Sequence, residues 1–140
     1  MRHDAVHLGV AVALGDDGLI VPVVKNAHEL SHEGLAARIA DLAERARHKR
    51  LSPEETKGGT FTITNPGRYG ALLATPIINQ PQVAILDLEA VVKRPVAIGD
   101  AIAIRPMTYL CMSLDHRALD GVVAAQFLSS LRGHLESWNG

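Results

Sequence analysis

Between Ser113 and Gly121 the chain carries an imidazole, a guanidinium and two carboxylates: His116, Arg117, Asp115 and Asp120. An imidazole titrates near neutral pH, so His116 is the side chain best suited to accept a proton from a nucleophile and return it to a leaving group. Each of these residues also has a plain structural reading. A histidine at a strand end is commonly structural, Arg117 can pair with a neighbouring carboxylate, and Asp120 directly precedes a helical pattern whose first backbone N–H groups a carboxylate can cap. Thr64, closing another strand-like run, is by itself an ordinary β-forming residue.

Other familiar chemistries are not written in this chain. It has no Gly-rich phosphate loop with its lysine, no paired-cysteine zinc pattern and no Gly-x-Ser-x-Gly elbow. His28 and His32 are four residues apart but straddle a helix start, a poor arrangement for sharing an ion, so no metal is expected. The basic run Arg45-Ala46-Arg47-His48-Lys49-Arg50 falls at the end of a predicted helix, where cations complement the macrodipole and face solvent.

The elements that must position these residues follow from periodicity. Val6, Leu8, Val10, Val12 and Leu14 alternate with His7, Gly9, Ala11 and Ala13 as a strand does, Gly15-Asp16-Asp17-Gly18 supplies a turn, and Leu19 to Val24 returns, which predicts a hairpin. Leu35, Ile39, Leu42 and Ala46 recur at helical spacing behind Ser31 as N-cap, predicting a helix over about 30–49. Ser52-Pro53-Glu54-Glu55 is a capping-box start for a second, short helix that Gly58-Gly59 ends. Thr60 to Thr64 alternates hydroxyl and large apolar side chains, placing Phe61 and Ile63 on one face and the threonines on the other.

An irregular stretch punctuated by Pro66, Gly67, Gly70, Pro76 and Pro81 follows, yet it holds Leu72, Leu73, Ile77 and Ile78, so it should cover something or meet another chain. Val83–Leu88, Ala90–Ile98, Ala101–Ile104 and Thr108–Leu114 read as strands, the middle two joined by a tight turn at Gly99-Asp100. From Gly121, the residues Ala124, Phe127, Leu128, Leu131 and Leu135 form a helix stripe. About seven strands and three helices, some strands paired by short hairpins, give an α+β class: a mixed sheet packed by helices.

At 140 residues this is one domain. With 47% hydrophobic and 21% charged residues it is globular, and its apolar runs are too short for a bilayer. A net charge of −1 gives no electrostatic reason for a nucleic acid or membrane partner. A lone Cys111 and an N-terminus without an apolar leader point to a reducing compartment such as the cytoplasm.

Five segments in order carry a resemblance: Leu8–Val12, Gly18–Ala27, Gly59–Asn65, Thr75–Leu86 and the His-Arg-x-x-Asp-Gly motif at His116–Gly121. Together they resemble the catalytic core of the dihydrolipoamide acyltransferases of 2-oxo acid dehydrogenase complexes, relatives in fold of chloramphenicol acetyltransferase. The resemblance implies acyl transfer between dihydrolipoamide and coenzyme A, with the lipoyl group supplied by a separate domain. It implies His116 as the general base toward the attacking thiol. A thiol near pKa 8.5 and an imidazole near 6.5 differ by about 2.7 kcal/mol, small enough for proton removal to accompany attack.

Thr64 stands where the family commonly has serine, so its hydroxyl is implied as donor to the oxyanion; losing one such donor costs about 3–4 kcal/mol. Asp120 matches the family's aspartate, implied to hold the histidine loop. A homotrimer with inter-subunit active sites, working with a lipoyl domain and other components of the complex, is likewise implied.

Residues 1–140 read as the C-terminal portion of that core, without its N-terminal part and without lipoyl or peripheral-subunit-binding domains. The chain end Leu135–Gly140 lacks the apolar tail through which trimers build larger shells. Pro66, and Asp87 and Glu89 where glycine is common, depart from the family pattern near the sheet core. Two rival readings stand beside the enzyme: a non-catalytic trimeric assembly module with an incomplete active site, and an antibiotic acetyltransferase of the same fold, which the segments 18–27 and 75–86 disfavour.

Overall fold

The computed structural model describes residues 3–138, so Met1-Arg2 and the end of the chain, Asn139-Gly140, lie outside the described residues. The first apolar run forms β1 (Leu8–Val10) and β2 (Val12–Ala13), and the second forms β3 (Leu19–Ile20) and β4 (Val23–Val24). The expected hairpin is present but split, with β2 pairing antiparallel with β3 and β1 with β4. The ladder breaks because Pro22 has no N–H to give and the Ala11 N–H turns away to the Ile63 carbonyl at 2.9 Å.

α1 (His32–Arg47) starts where the Ser31 hydroxyl accepts the Gly34 N–H at 3.1 Å. Its stripe buries Leu42 against Val24 and Ala27, with Leu8, Leu35, Ile39 and Leu51 around them. The second expected helix is only a single 3-10 turn, Pro53–Thr56. Its capping box is made, the Glu55 carboxylate accepting the Ser52 N–H at 3.0 Å, but Lys57 is already extended at φ −109°, ψ 156°. Arg45 of the basic run donates to both oxygens of Glu55 at 2.9 and 2.6 Å, tying that turn to α1.

β5 (Phe61–Thr64) runs parallel to β1, and β6 (Ala84–Leu88) runs parallel to β5. β7 (Val92–Ile98) and β8 (Ala101–Met107) form a separate hairpin. β8 continues past Ile104, where the sequence places its end, because a two-stranded hairpin leaves each strand a free edge on which Pro106 needs no N–H partner. β9 (Leu110–Leu114) returns antiparallel to β6 and leads into α2 (Gly121–Glu136). The central sheet therefore reads β4-β1-β5-β6-β9, and it is mixed. Nine strands are described where about seven were expected, since each of the first two runs is split.

Both helices lie on the face that carries Leu8 and Phe61. The Phe127 ring meets Phe61 edge-on at 5.8 Å, and His32 at the start of α1 meets Trp138 past the end of α2 at 4.6 Å. The α2 stripe is only partly covered: Ala124 is buried, while Phe127 and Leu135 remain 43% and 55% exposed. On the other face, the irregular stretch 65–81 arches over the threonine side of β5.

Candidate active site

Thr64 closes β5 because the next residues leave the ladder. The Asn65 side chain accepts the Arg68 N–H at 3.1 Å, and Pro66 heads a 3-10 turn to Tyr69, so this departure from the family pattern is a turn start suited to proline. The turn is pressed directly on the end of β6, where a Cβ on Gly67 would overlap the Glu89–Ala90 peptide. Glycine is therefore the residue that lets the Thr64 end dock there.

Thr64 faces a cavity of about 470 Å³ between the sheet and the 74–79 stretch, lined also by Thr62, Ile85, Asp87, Leu19 and Val21. Of the loop's apolar residues, Ile77 and Ile78 line this cavity, while Leu72, Leu73 and Ile77 remain exposed. Thr62, wholly buried, donates its hydroxyl to Gln82 Oε1 at 2.7 Å, so of the two threonines it is Thr64 that has its hydroxyl uncommitted to another side chain among the described residues.

Asp87 sits beside Thr64 in the parallel register, with Cys111 next across β9. It is fully buried and, among the described residues, neither of its carboxylate oxygens has a hydrogen-bond partner; Glu89, 4% exposed, has one oxygen likewise unpartnered and accepts the Ala74 N–H with the other. Burial, and then the charge of Glu89, push the Asp87 carboxyl up to about 6. Burial first, and Glu89 second, also push the Cys111 thiol up, which keeps it protonated and unreactive. The sequence marked Asp87 and Glu89 only as departures. The signal of a buried site was an aspartate interrupting the apolar run Ala84-Ile85-Leu86 with an acid two residues on.

His116 lies in the turn beyond β9, exposed and without a protein hydrogen bond among the described residues. The loop around it is fixed by its two carboxylates. Asp115 accepts from Arg117 Nε at 2.9 Å, from Nη2 at 2.6 Å and from the Arg117 N–H at 3.0 Å, while its own N–H reaches the Val83 carbonyl at 2.8 Å. The guanidinium holds the Asp115 carboxyl down at about 2. Asp120 caps α2, accepting the Val123 N–H at 2.8 Å. Arg117 therefore finds its carboxylate partner in Asp115, and Asp120 serves the loop as a cap. His28 accepts the Val6 N–H at 3.2 Å and His32 packs on Trp138, so the two point to different partners.

Within one chain the structure does not bring His116 and Thr64 together. Thr64, Asp87 and Cys111 form one row across three strands, and His116 lies five residues further along β9 and its turn, at the far end of the sheet. At about 3.3 Å per residue and about 4.8 Å per strand, the two are roughly 20 Å apart. Proton transfer and oxyanion stabilisation need both within about 3 Å of the reacting atoms, so a site that uses both must draw them from two copies.

The family described as 2-oxoacid dehydrogenases acyltransferase (catalytic domain) matches residues 1–140. The chain is 46% identical over 133 residues to the lipoamide acyltransferase component of the branched-chain alpha-keto acid dehydrogenase complex of Bacillus subtilis, covering 94% of this chain and 31% of that protein. It is 44% identical over 133 residues to the mitochondrial dihydrolipoyllysine-residue succinyltransferase component of the 2-oxoglutarate dehydrogenase complex of Sus scrofa, covering 95% and 29%. The chain thus spans less than a third of the length of these relatives.

Among solved structures, a probable dihydrolipoamide acetyltransferase of Listeria monocytogenes superposes with a TM-score of 0.94 at 44% identity, covering 100% of this chain and 61% of that one. The dihydrolipoamide acetyltransferase of Azotobacter vinelandii gives 0.93 at 42%, covering 98% and 56%. That enzyme was investigated for the role of a serine, a histidine and an asparagine in its catalytic mechanism, and their spacing equals that of Thr64, His116 and Asp120 here. The mixed sheet with helices is the chloramphenicol acetyltransferase-like fold anticipated from the sequence.

Proposed function

The chain belongs to the 2-oxoacid dehydrogenase acyltransferase catalytic-domain family, and from that membership we propose that it transfers an acyl group between dihydrolipoamide and coenzyme A in the core of a 2-oxo acid dehydrogenase complex. The observation that carries this reading is the division of the site: an unpartnered, exposed His116 at one end of the sheet and a Thr64 hydroxyl opening on an apolar cavity at the other. His116 takes the proton of the attacking thiol, and the sulfur adds to the thioester carbonyl carbon. Thr64 donates a hydrogen bond to the oxyanion that forms. The intermediate collapses, the old C–S bond breaks, and the departing thiolate recovers the proton from the imidazolium.

The two groups come from neighbouring copies in a homotrimer. The exposed apolar side chains of the β7–β8 hairpin, Ile102 at 83% and Ile104 at 66%, and of α2 fit burial against further protein. A lipoyl domain brings the acyl group, and coenzyme A is the co-substrate. The lone Cys111 suits a reducing compartment such as the cytoplasm.

That same apolar surface favours the second reading, a trimeric assembly module without chemistry. Thiol release from acyl-coenzyme A and dihydrolipoamide separates them when the protein is compared with its His116→Ala variant. A signal lost in the variant supports the enzyme; equal signals leave only the module.

A further inference from the structure

Resting on the acyl-transfer reading, we propose that the cavity beside Thr64 is the acyl chamber and that Asp87 sets its substrate class: neutral aliphatic acyl groups are accepted, and acyl groups ending in a carboxylate, such as succinyl, are refused. An oxyanion held at Thr64 puts the carbonyl carbon at the cavity wall, so the acyl chain must extend into the space beyond. That space, about 470 Å³, has room for any short acyl group, so size does not select.

Charge does. Among the described residues of one copy, none that lines the chamber is a lysine, arginine or histidine, and the one ionisable side chain there is Asp87. Its two oxygens are buried with no hydrogen-bond partner among the described residues, and Asp87 borders a chamber whose other walls include Ile85, Val21 and Ile78. The titratable groups facing it are Glu89 from the end of its own strand and Cys111 from β9. Glu89 adds negative charge, and the thiol supplies no positive charge to offset it.

A carboxylate at the end of a succinyl chain would therefore meet an acidic pair with no counterion among the described residues. Two like charges about 6 Å apart at an effective dielectric near 20 repel by an amount equal to roughly a hundredfold in binding. Identity does not make this choice, since a branched-chain and a succinyl relative match the chain at 46% and 44%.

The test compares kcat/KM for isobutyryl-, acetyl- and succinyl-coenzyme A with dihydrolipoamide, using the full-length protein, Asp87→Asn and Leu19→Lys. Leu19 lines the chamber yet is 63% exposed, so a lysine there adds a cation without disturbing the core. The wild type should prefer isobutyryl over succinyl by about a hundredfold, and either substitution should shrink that ratio by about tenfold or more. Should Asp87→Asn fail to fold, Leu19→Lys still decides through the same ratio. Equal use of all three acyl groups by the wild type, or a ratio unmoved in the folded variants, overturns the assignment while the acyltransferase reading stands. Turnover of none of the three overturns both.

Discussion

Co-expression of two inactive variants gives the sharpest test of a site shared between copies. His116→Ala removes the base and Thr64→Val removes the oxyanion donor with little change of shape. Alone, each should fall to about 1% of wild-type turnover or less, because a positioned base or oxyanion donor contributes on the order of a hundredfold or more. Within one chain the two residues are roughly 20 Å apart by strand spacing, far beyond the ~3 Å reach that chemistry requires. In the proposed ring of three, each site would take His116 from one copy and Thr64 from the next. With equal, random mixing, a site is intact only when a Thr64→Val copy supplies the histidine and a His116→Ala copy supplies the threonine, about one site in four. Trimers purified through distinct tags on the two variants are all mixed, each with one intact site of its three, so in a thiol-release assay they should regain about a third of wild-type activity. Mixed trimers no more active than the separate variants would refute the shared site.

Asp87 should also leave its mark on stability. Its folded pKa, about 6, lies above the 3.8 of a free aspartate, so the fold favours the protonated carboxyl and ionisation costs stability. Stability is then fully present below pH 3.8 and is lost as pH rises through 6, by about 3 kcal/mol in all. Urea unfolding between about pH 4 and 7.5 should show the wild type losing that stability relative to Asp87→Asn; parallel profiles would exclude a strained buried charge. The Arg45–Glu55 pair acts in the opposite sense and in a separate window: Glu55 is held at about 2 against 4.5, so its contribution is present above pH 4.5 and fades as pH falls toward 2. Asp120→Ala, which strips the α2 cap, should cost about 1 kcal/mol in the same unfolding assay. Asp120→Asn keeps the cap and should lose less than about 0.5 kcal/mol with turnover retained; a collapse of turnover in Asp120→Asn would show that its charge, not its cap, matters.

What the chain declares locally it also builds. Ser31 and Asp120 cap the helices they precede, Gly99-Asp100 closes the β7–β8 hairpin, and the alternation of Phe61 and Ile63 with the threonines assigns the two faces of β5. Where a local signal fell short, a nearby residue explains it: Pro22 splits the first hairpin, and an extended Lys57 holds the second helix to a single turn. The motif segments, read in order, were also enough to point to the family.

The sequence by itself therefore determined the helices and their caps, the hairpins, and which residue types could do the chemistry, because each depends on neighbours within a few positions. Only the tertiary structure decided that β5 lies between β1 and β6, that Asp87 is buried without a partner beside Thr64, and that Thr64 and His116 stand at opposite ends of one sheet. Parallel pairing joins residues more than fifty apart, as Leu8 with Phe61, and the burial of a carboxylate depends on everything packed around it. No local pattern of side chains encodes either, and together they place the two proposed site residues and the cavity beside one of them.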